Sequence, residues 1–154
     1  MDQHEERALD NIKLHGCHVL QIMEEDDFPP FSYSIGIRTN YQKPDLCIMG
    51  LHRDVALFAI NEYAHYLKEG KTFEIGQLYS GFLEGFDICF ENVAKKHFRK
   101  YFGWGLWYYG EQHFDVWQLV YPTTSGIYPW YENVPEEFLK DQTILTETGR
   151  CTIL

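Results

Sequence analysis

No run of apolar residues in this chain is long enough to cross a bilayer. Stretches such as Cys47-Ile48-Met49-Gly50-Leu51 break off after a few residues, against the roughly 20 that a membrane-spanning helix needs. Basic residues are scarce: 13 Lys and Arg face 23 Asp and Glu, for a formal net charge of -10. That balance argues against nucleic acid or an anionic membrane as the partner, because phosphate binding needs clustered Lys and Arg. It suits a basic protein instead. Cysteine is sparse too. Cys17, Cys47, Cys89 and Cys151 form no Cys-x-x-Cys pair, and three of them lie in strand-like apolar runs, so free thiols are expected rather than disulfides or a structural zinc. The opening Met1-Asp2-Gln3-His4-Glu5-Glu6 is acidic and lacks the apolar region of a signal peptide. The expected location is the cytoplasm.

Catalytic signatures are equally thin. Ser34 sits in Tyr33-Ser34-Ile35-Gly36, but no Gly-x-Ser-x-Gly elbow is present; Gly36 there reads as a point of close approach by a neighbouring element. Residues 76–85 hold three glycines without the Lys-Ser/Thr that a phosphate loop requires. Of the seven histidines, His15 and His18 flank Cys17 across a helix end and a strand start, so Cys17 and His18 point to opposite faces. His113, after Glu111-Gln112, is the best candidate for a general base. No catalytic set, metal or cofactor is expected from these residues.

What the chain has in excess is aromatic side chains: 4 Trp, 11 Tyr and 11 Phe, 17% of 154 residues. They furnish a large core and leave rings over for contact surfaces. The periodicity predicts a helix over residues 2–15, stopped by Gly16, a strand over 17–23, and an acidic loop, Glu24-Glu25-Asp26-Asp27, running into Pro29-Pro30. Strands are expected at 31–37 and 45–50, with 38–44 as a polar connection. Val55, Phe58, Ala59, Tyr63, Tyr66 and Leu67 fall on one helical stripe within 52–69. Short strands are expected at 72–75, 78–83 and 86–91, a helix over 94–107, a strand over 114–121, and a terminal edge strand within 143–154. Mixed strands and helices without strict alternation indicate an α+β fold: a single domain over 1–154, with a mostly antiparallel sheet and about three helices packed on it.

Three segments resemble a bacterial family known as domain of unknown function 4262. Phe31-Ser32-Tyr33-Ser34-Ile35-Gly36-Ile37 is similar to the family's aromatic-Tyr-Ser/Thr-x-Gly-Leu strand, and Pro44-Asp45-Leu46-Cys47-Ile48-Met49-Gly50-Leu51 to its Pro-Glu-Leu-x-x-x-Gly-Leu strand. Gln118-Leu119-Val120-Tyr121-Pro122, with Gly126 and Tyr128-Pro129-Trp130, is similar to its Gln-Leu-Val-Trp-Pro-Asp segment closing on Pro-Trp. The resemblance covers about residues 10–131. The chain departs from it in carrying no Cys-x-x-Cys ahead of the first helix and in having Thr123 where the family usually has Asp. The resemblance implies a fold and a bacterial origin, and an association with neighbouring secreted toxins, but no chemistry.

The informative side chains are therefore the carboxylates. Glu24, Glu25, Asp26 and Asp27 form one group; Glu132, Glu136, Glu137 and Asp141 form a second, beside Trp130 and Tyr131. Solvated loops that maintain solubility would look the same. As a binding face, the rings would supply contact energy while the carboxylates steer a basic partner. The functional expectation is a non-enzymatic bacterial immunity protein that neutralises a cognate secreted toxin domain, foremost a basic nuclease, with no direct nucleic-acid or membrane contact. The alternative is a small cytosolic hydrolase or nucleotide-modifying enzyme with a site near Ser34 and His113. A third reading is a self-associating domain that uses the terminal edge strand.

Overall fold

The computed structural model describes residues 1–153. Its centre is a six-stranded mixed sheet in the order β1-β2-β3-β6-β5-β4, formed by β1 (His18–Ile22), β2 (Phe31–Ile35), β3 (Asp45–Met49), β4 (Tyr79–Leu83), β5 (Phe86–Asn92) and β6 (Val116–Val120). Every neighbouring pair is antiparallel except β3 and β6, which run parallel in the middle. The fold is α+β, as expected, with more helices than expected. Among the described residues there are six, α1 (Gln3–His15), α2 (Ile37–Tyr41), α3 (Arg53–Lys68), α4 (Phe98–Tyr101), α5 (Gly103–Tyr109) and α6 (Glu136–Asp141), besides one 3-10 turn at Lys95–His97. None is long and apolar enough to cross a membrane.

Helices cover both faces of the sheet, which is why β2 and β3 are buried along their whole length instead of alternating. On one face Leu20, Phe31, Tyr33, Cys47 and Met49 meet Ala8 and Ile12 of α1 and the rings of Phe98, Tyr101 and Phe102. On the other, Leu46, Ile48, Ile88, Phe90 and Leu119 pack under α3. The stripe that α3 buries is Ala56, Ala59, Ile60, Tyr63, Ala64 and Leu67. Val55 and Phe58, expected inside, face outward; small alanines let the helix lie close to the sheet, and they shift the buried stripe away from the largest side chains.

The extra helices come from broken segments. Gly36, at φ +97°, ends β2 and caps α2, so the connection expected to be irregular over 38–44 coils into a short helix. The single helix expected over 94–107 is divided at Phe102, whose φ of -118° and ψ of 48° are not helical. The hydroxyl of Tyr33 accepts a hydrogen bond from the Trp104 N–H at 3.0 Å just beyond that break. Residues 72–75 form no strand: Phe73 leaves the sheet to join a ring cluster with Tyr63, Tyr66, Phe82 and Phe90.

The C-terminal segment is not an edge strand over the described residues 143–153. It crosses a face of the sheet as a strap, because the β5 and β6 edges beside it are already paired. The buried Gln118 side chain donates to the Thr143 carbonyl at 2.8 Å and accepts from the Leu145 N–H at 2.9 Å. The Ala94 N–H donates to Leu145 O, and Thr152 donates through its N–H and its hydroxyl to Glu91. Leu154 lies outside the described residues.

Candidate functional site

The parallel pair fixes where surface features converge. The carboxyl ends of β3 and β6 lie at one end of the sheet, together with the β1–β2 connection: the Gly50 N–H donates to Pro30 O at 2.7 Å, and the Tyr121 hydroxyl donates to Met49 O at 2.6 Å. The C-terminal end of α6 presses on the same corner. A Cβ on Gly50 would sit 2.2 Å from the Asp141 carbonyl oxygen, and φ there is +75°, so glycine is required for the helix to approach.

The acidic run occupies the tip of the β1–β2 hairpin. Glu25 and Phe28 exchange backbone hydrogen bonds of 3.0 and 2.8 Å, closing a tight turn over Asp26-Asp27. Phe28 anchors this turn: its ring lies 4.9 Å from that of Tyr101 and 5.8 Å from that of Phe31, and the Lys100 ammonium sits 5.1 Å from its centroid. The four carboxylates are exposed on and beside a hydrogen-bonded turn that Phe28 pins to the core.

Across from this turn stands α6. Together they wall a cleft of about 440 Å³ lined by Glu24, Glu25, Asp26 and Asp27 on one side and Glu137, Lys140 and Asp141 on the other. The structure thus joins the first acidic group to part of the second. Lys140 is the residue sequence reasoning missed; its Nζ stands 3.9 Å from Glu137 and leaves the other carboxylates unopposed within the cleft. Only the apolar Phe28 between the acidic run and Pro29-Pro30 signalled that the turn would be pinned.

Trp130, Tyr131, Glu132 and Glu136 do not line that cleft. Trp130 stacks on Tyr128 at 4.7 Å between centroids, Tyr131 lies 5.5 Å from the same ring, and the Tyr128 hydroxyl donates to Asp87 O at the start of β5. This cluster belongs to the β6–α6 connection. Tyr131 is 43% exposed, whereas Trp130 is half-buried.

The residues of the enzymatic alternative are placed differently. Ser34 is 1% exposed. Its hydroxyl donates to Asp45 Oδ1 at 2.8 Å and accepts from the Leu46 N–H at 3.0 Å. Asp45, also buried, further accepts from the Ile37 N–H at 3.1 Å and from the Tyr109 hydroxyl, which itself accepts from the Gly36 N–H. Burial pushes the Asp45 carboxyl up to about 7, against the pull of these donors. His113 is on the surface, 3.4 Å from Asp115, and shares no hydrogen bond with Ser34. The two are not assembled around a common cleft. Of the other histidines, His18 Nδ1 pairs with the Asn11 amide at 2.9 Å, and burial lowers its pKa. Burial likewise pushes the Cys17, Cys89 and Cys151 thiols up to about 12, so all three stay protonated and weakly nucleophilic.

Two of the sequence motifs meet at Asp45. Ser34 and Gly36 come from the first and Asp45 and Leu46 from the second; the third motif supplies Gln118, which holds the strap. The polar members of these motifs are therefore framework. A family model for a domain of unknown function (DUF4262) matches residues 11–135. No curated protein and no solved structure matches the chain. The chain belongs to the DUF4262 family.

Proposed function

We propose that this member of the family works in the cytoplasm as one binding domain without catalysis. It is read as a bacterial immunity protein that captures a secreted toxin domain of basic character, foremost a nuclease. A single observation carries the reading: two acidic segments from opposite ends of the chain form facing walls of one cleft. A nuclease site is basic because its substrate is a polyphosphate, and carboxylates set around a cleft can take the places of phosphates. The net charge of -10 extends that attraction into solution and speeds encounter at low salt. The exposed Tyr131 beside the half-buried Trp130 offers further contact area on the same end of the sheet.

The test is a pull-down of the tagged chain against the product of the adjacent gene, followed by titration at low and moderate salt. A one-to-one complex that weakens with salt and abolishes the neighbour's toxicity is the expected result. A neighbour that stays toxic, with no complex at either salt, removes the reading.

A further inference from the structure

A second cleft, of about 410 Å³, opens beside the acidic one and has a different character. Met23, Pro30 and Leu51 supply its apolar wall, and Glu24 and Pro30 are common to both clefts. The polar groups at its back are already engaged with one another. Gln21 Nε2 donates to Arg53 O at 2.6 Å and to Ser32 Oγ at 3.3 Å, tying β1 to the first turn of α3. The His52 Nδ1 accepts from the Asp54 N–H at 3.2 Å. Met23 is 79% exposed at the mouth, and its flexible thioether can close on guests of varied shape.

We infer that this cleft is the anchor socket of the interface proposed above, and that the partner is recognised by a large apolar side chain flanked by lysine or arginine. The inference rests on that proposed function. Interfaces draw most of their energy from a few side chains seated in dry pockets, while surrounding charges govern rate and orientation. Here the two parts share a wall. A segment that seats an aromatic ring against Met23 and Leu51 brings its neighbouring residues over Glu24 and the turn. The charges facing the socket also set a direction. Glu24 lies on the side toward the acidic cleft and Arg53 lines the socket as well, so the partner's cation is drawn toward Glu24 and away from Arg53.

Two lysine-rich peptides of equal length and charge test this, one with a central Trp and one with a central Ala. Each is titrated against the full chain at low salt, with backbone amide shifts recorded. The Trp peptide is expected to bind about tenfold tighter, with its largest shifts at Met23 and Leu51. Met23→Glu is the discriminating variant, because it adds a carboxylate to the socket at an exposed position that leaves the fold intact. Charge alone predicts that this variant binds both peptides as well or better. A socket predicts that it erases the Trp advantage while the Ala peptide binds as well or better, and Met23→Ala reports the same loss of the Trp advantage without a charge change. Equal affinities for the two peptides, both weakened by salt, overturn the socket and leave the acidic cleft standing. Absence of binding by either peptide at low salt overturns both.

Discussion

Asp45 is the side chain on which the most backbone and side-chain donors converge: Ser34, Ile37 and Tyr109 all point hydrogens at one buried carboxyl group. Asp45→Ala leaves three donors without an acceptor in the interior and is expected to cost about 3 kcal/mol or more, read as a lower urea midpoint. The pH dependence has a definite sign. Burial raises the folded-state pKa from 3.8 to about 7, so the native state holds a proton that the unfolded chain has released. That contribution is complete below about pH 4 and is lost as pH rises through about 7, by something on the order of 4 kcal/mol once the group is fully ionised. Asp45→Asn cannot ionise. The stability of the wild type relative to this variant is expected to fall between pH 4 and 7, and parallel stability curves for the two would refute the assignment. Little of this was legible in the sequence. Ser34 and Asp45 are separated by a connection and a helix, and only the β2–β3 register (Tyr33 opposite Cys47) brings them side by side. Gly36 was legible, because a glycine after a strand signals close approach, and Ile12 does lie 2.7 Å from where its Cβ would be. Gly36→Ala therefore meets both that side chain and a φ of +97°, and is expected to cost more than the ~1 kcal/mol of an ordinary glycine replacement.

At the scale of elements, the long periodic segments were legible and the interrupted ones were not. The first helix ends at Gly16 as expected and begins with a capping box between Asp2 and Glu5. The β1, β2, β3, β5 and β6 runs sit within a few residues of their expected places. Periodicity failed where tertiary contacts override local pattern. Phe98, Tyr101, Phe102 and Leu106 have helical spacing, yet the backbone bends at Phe102, and Gly105 packs against the Phe114 ring, 3.2 Å from where a Cβ would lie. The strap failed for another reason. Residues 143–153 bond to the side chains of Gln118 and Glu91 and to the Ala94 N–H just past β5, and not to a strand edge, and no periodicity encodes that. The dependence on Gln118 is testable. Gln118→Leu keeps the volume but leaves the Thr143 carbonyl and the Leu145 N–H unpaired, at an expected cost of about 2 kcal/mol. Faster amide exchange at Leu145 and quicker tryptic cleavage after Arg150 are the expected signs of a loosened strap. Unchanged exchange at Leu145 would mean that its buried side chain and the Ala94 N–H bond to its carbonyl hold the strap without Gln118.

For the molecule as a whole, the sign and size of the charge were plain in the sequence, but its arrangement was not. Two acidic groups far apart in the chain looked equivalent, with aromatic anchors assigned to the second; the fold instead joins Glu24, Glu25, Asp26 and Asp27 to Glu137 and Asp141, and leaves Trp130, Tyr131, Glu132 and Glu136 outside the cleft. That division separates the cleft from the net charge. Replacing Glu25 and Asp26 by Lys, or Glu137 and Asp141 by Lys, changes the molecule's charge as much as replacing Glu132 and Glu136 does. A diffuse field would make the three double variants alike, each slowing association with the proposed basic partner modestly and each rescued to a common value as salt screens the charges. A cleft that contacts the partner makes them unlike. The first two are expected to speed dissociation as well, by about tenfold or more, and to flatten the salt dependence, whereas the Glu132/Glu136 variant alters only the association rate. Kinetic titrations at two salt concentrations distinguish these outcomes. Neutralising a single carboxylate of the turn carries a second signature. Carboxylates crowded onto one turn repel one another, so Asp27→Asn is expected to raise the thermal midpoint slightly while weakening capture of the partner, and added salt is expected to raise the wild-type midpoint more than that of the variant. A surface kept acidic only for solubility would show the stability gain with no loss of binding. Loss of binding together with gain of stability is what a cleft maintained for a partner's charge requires.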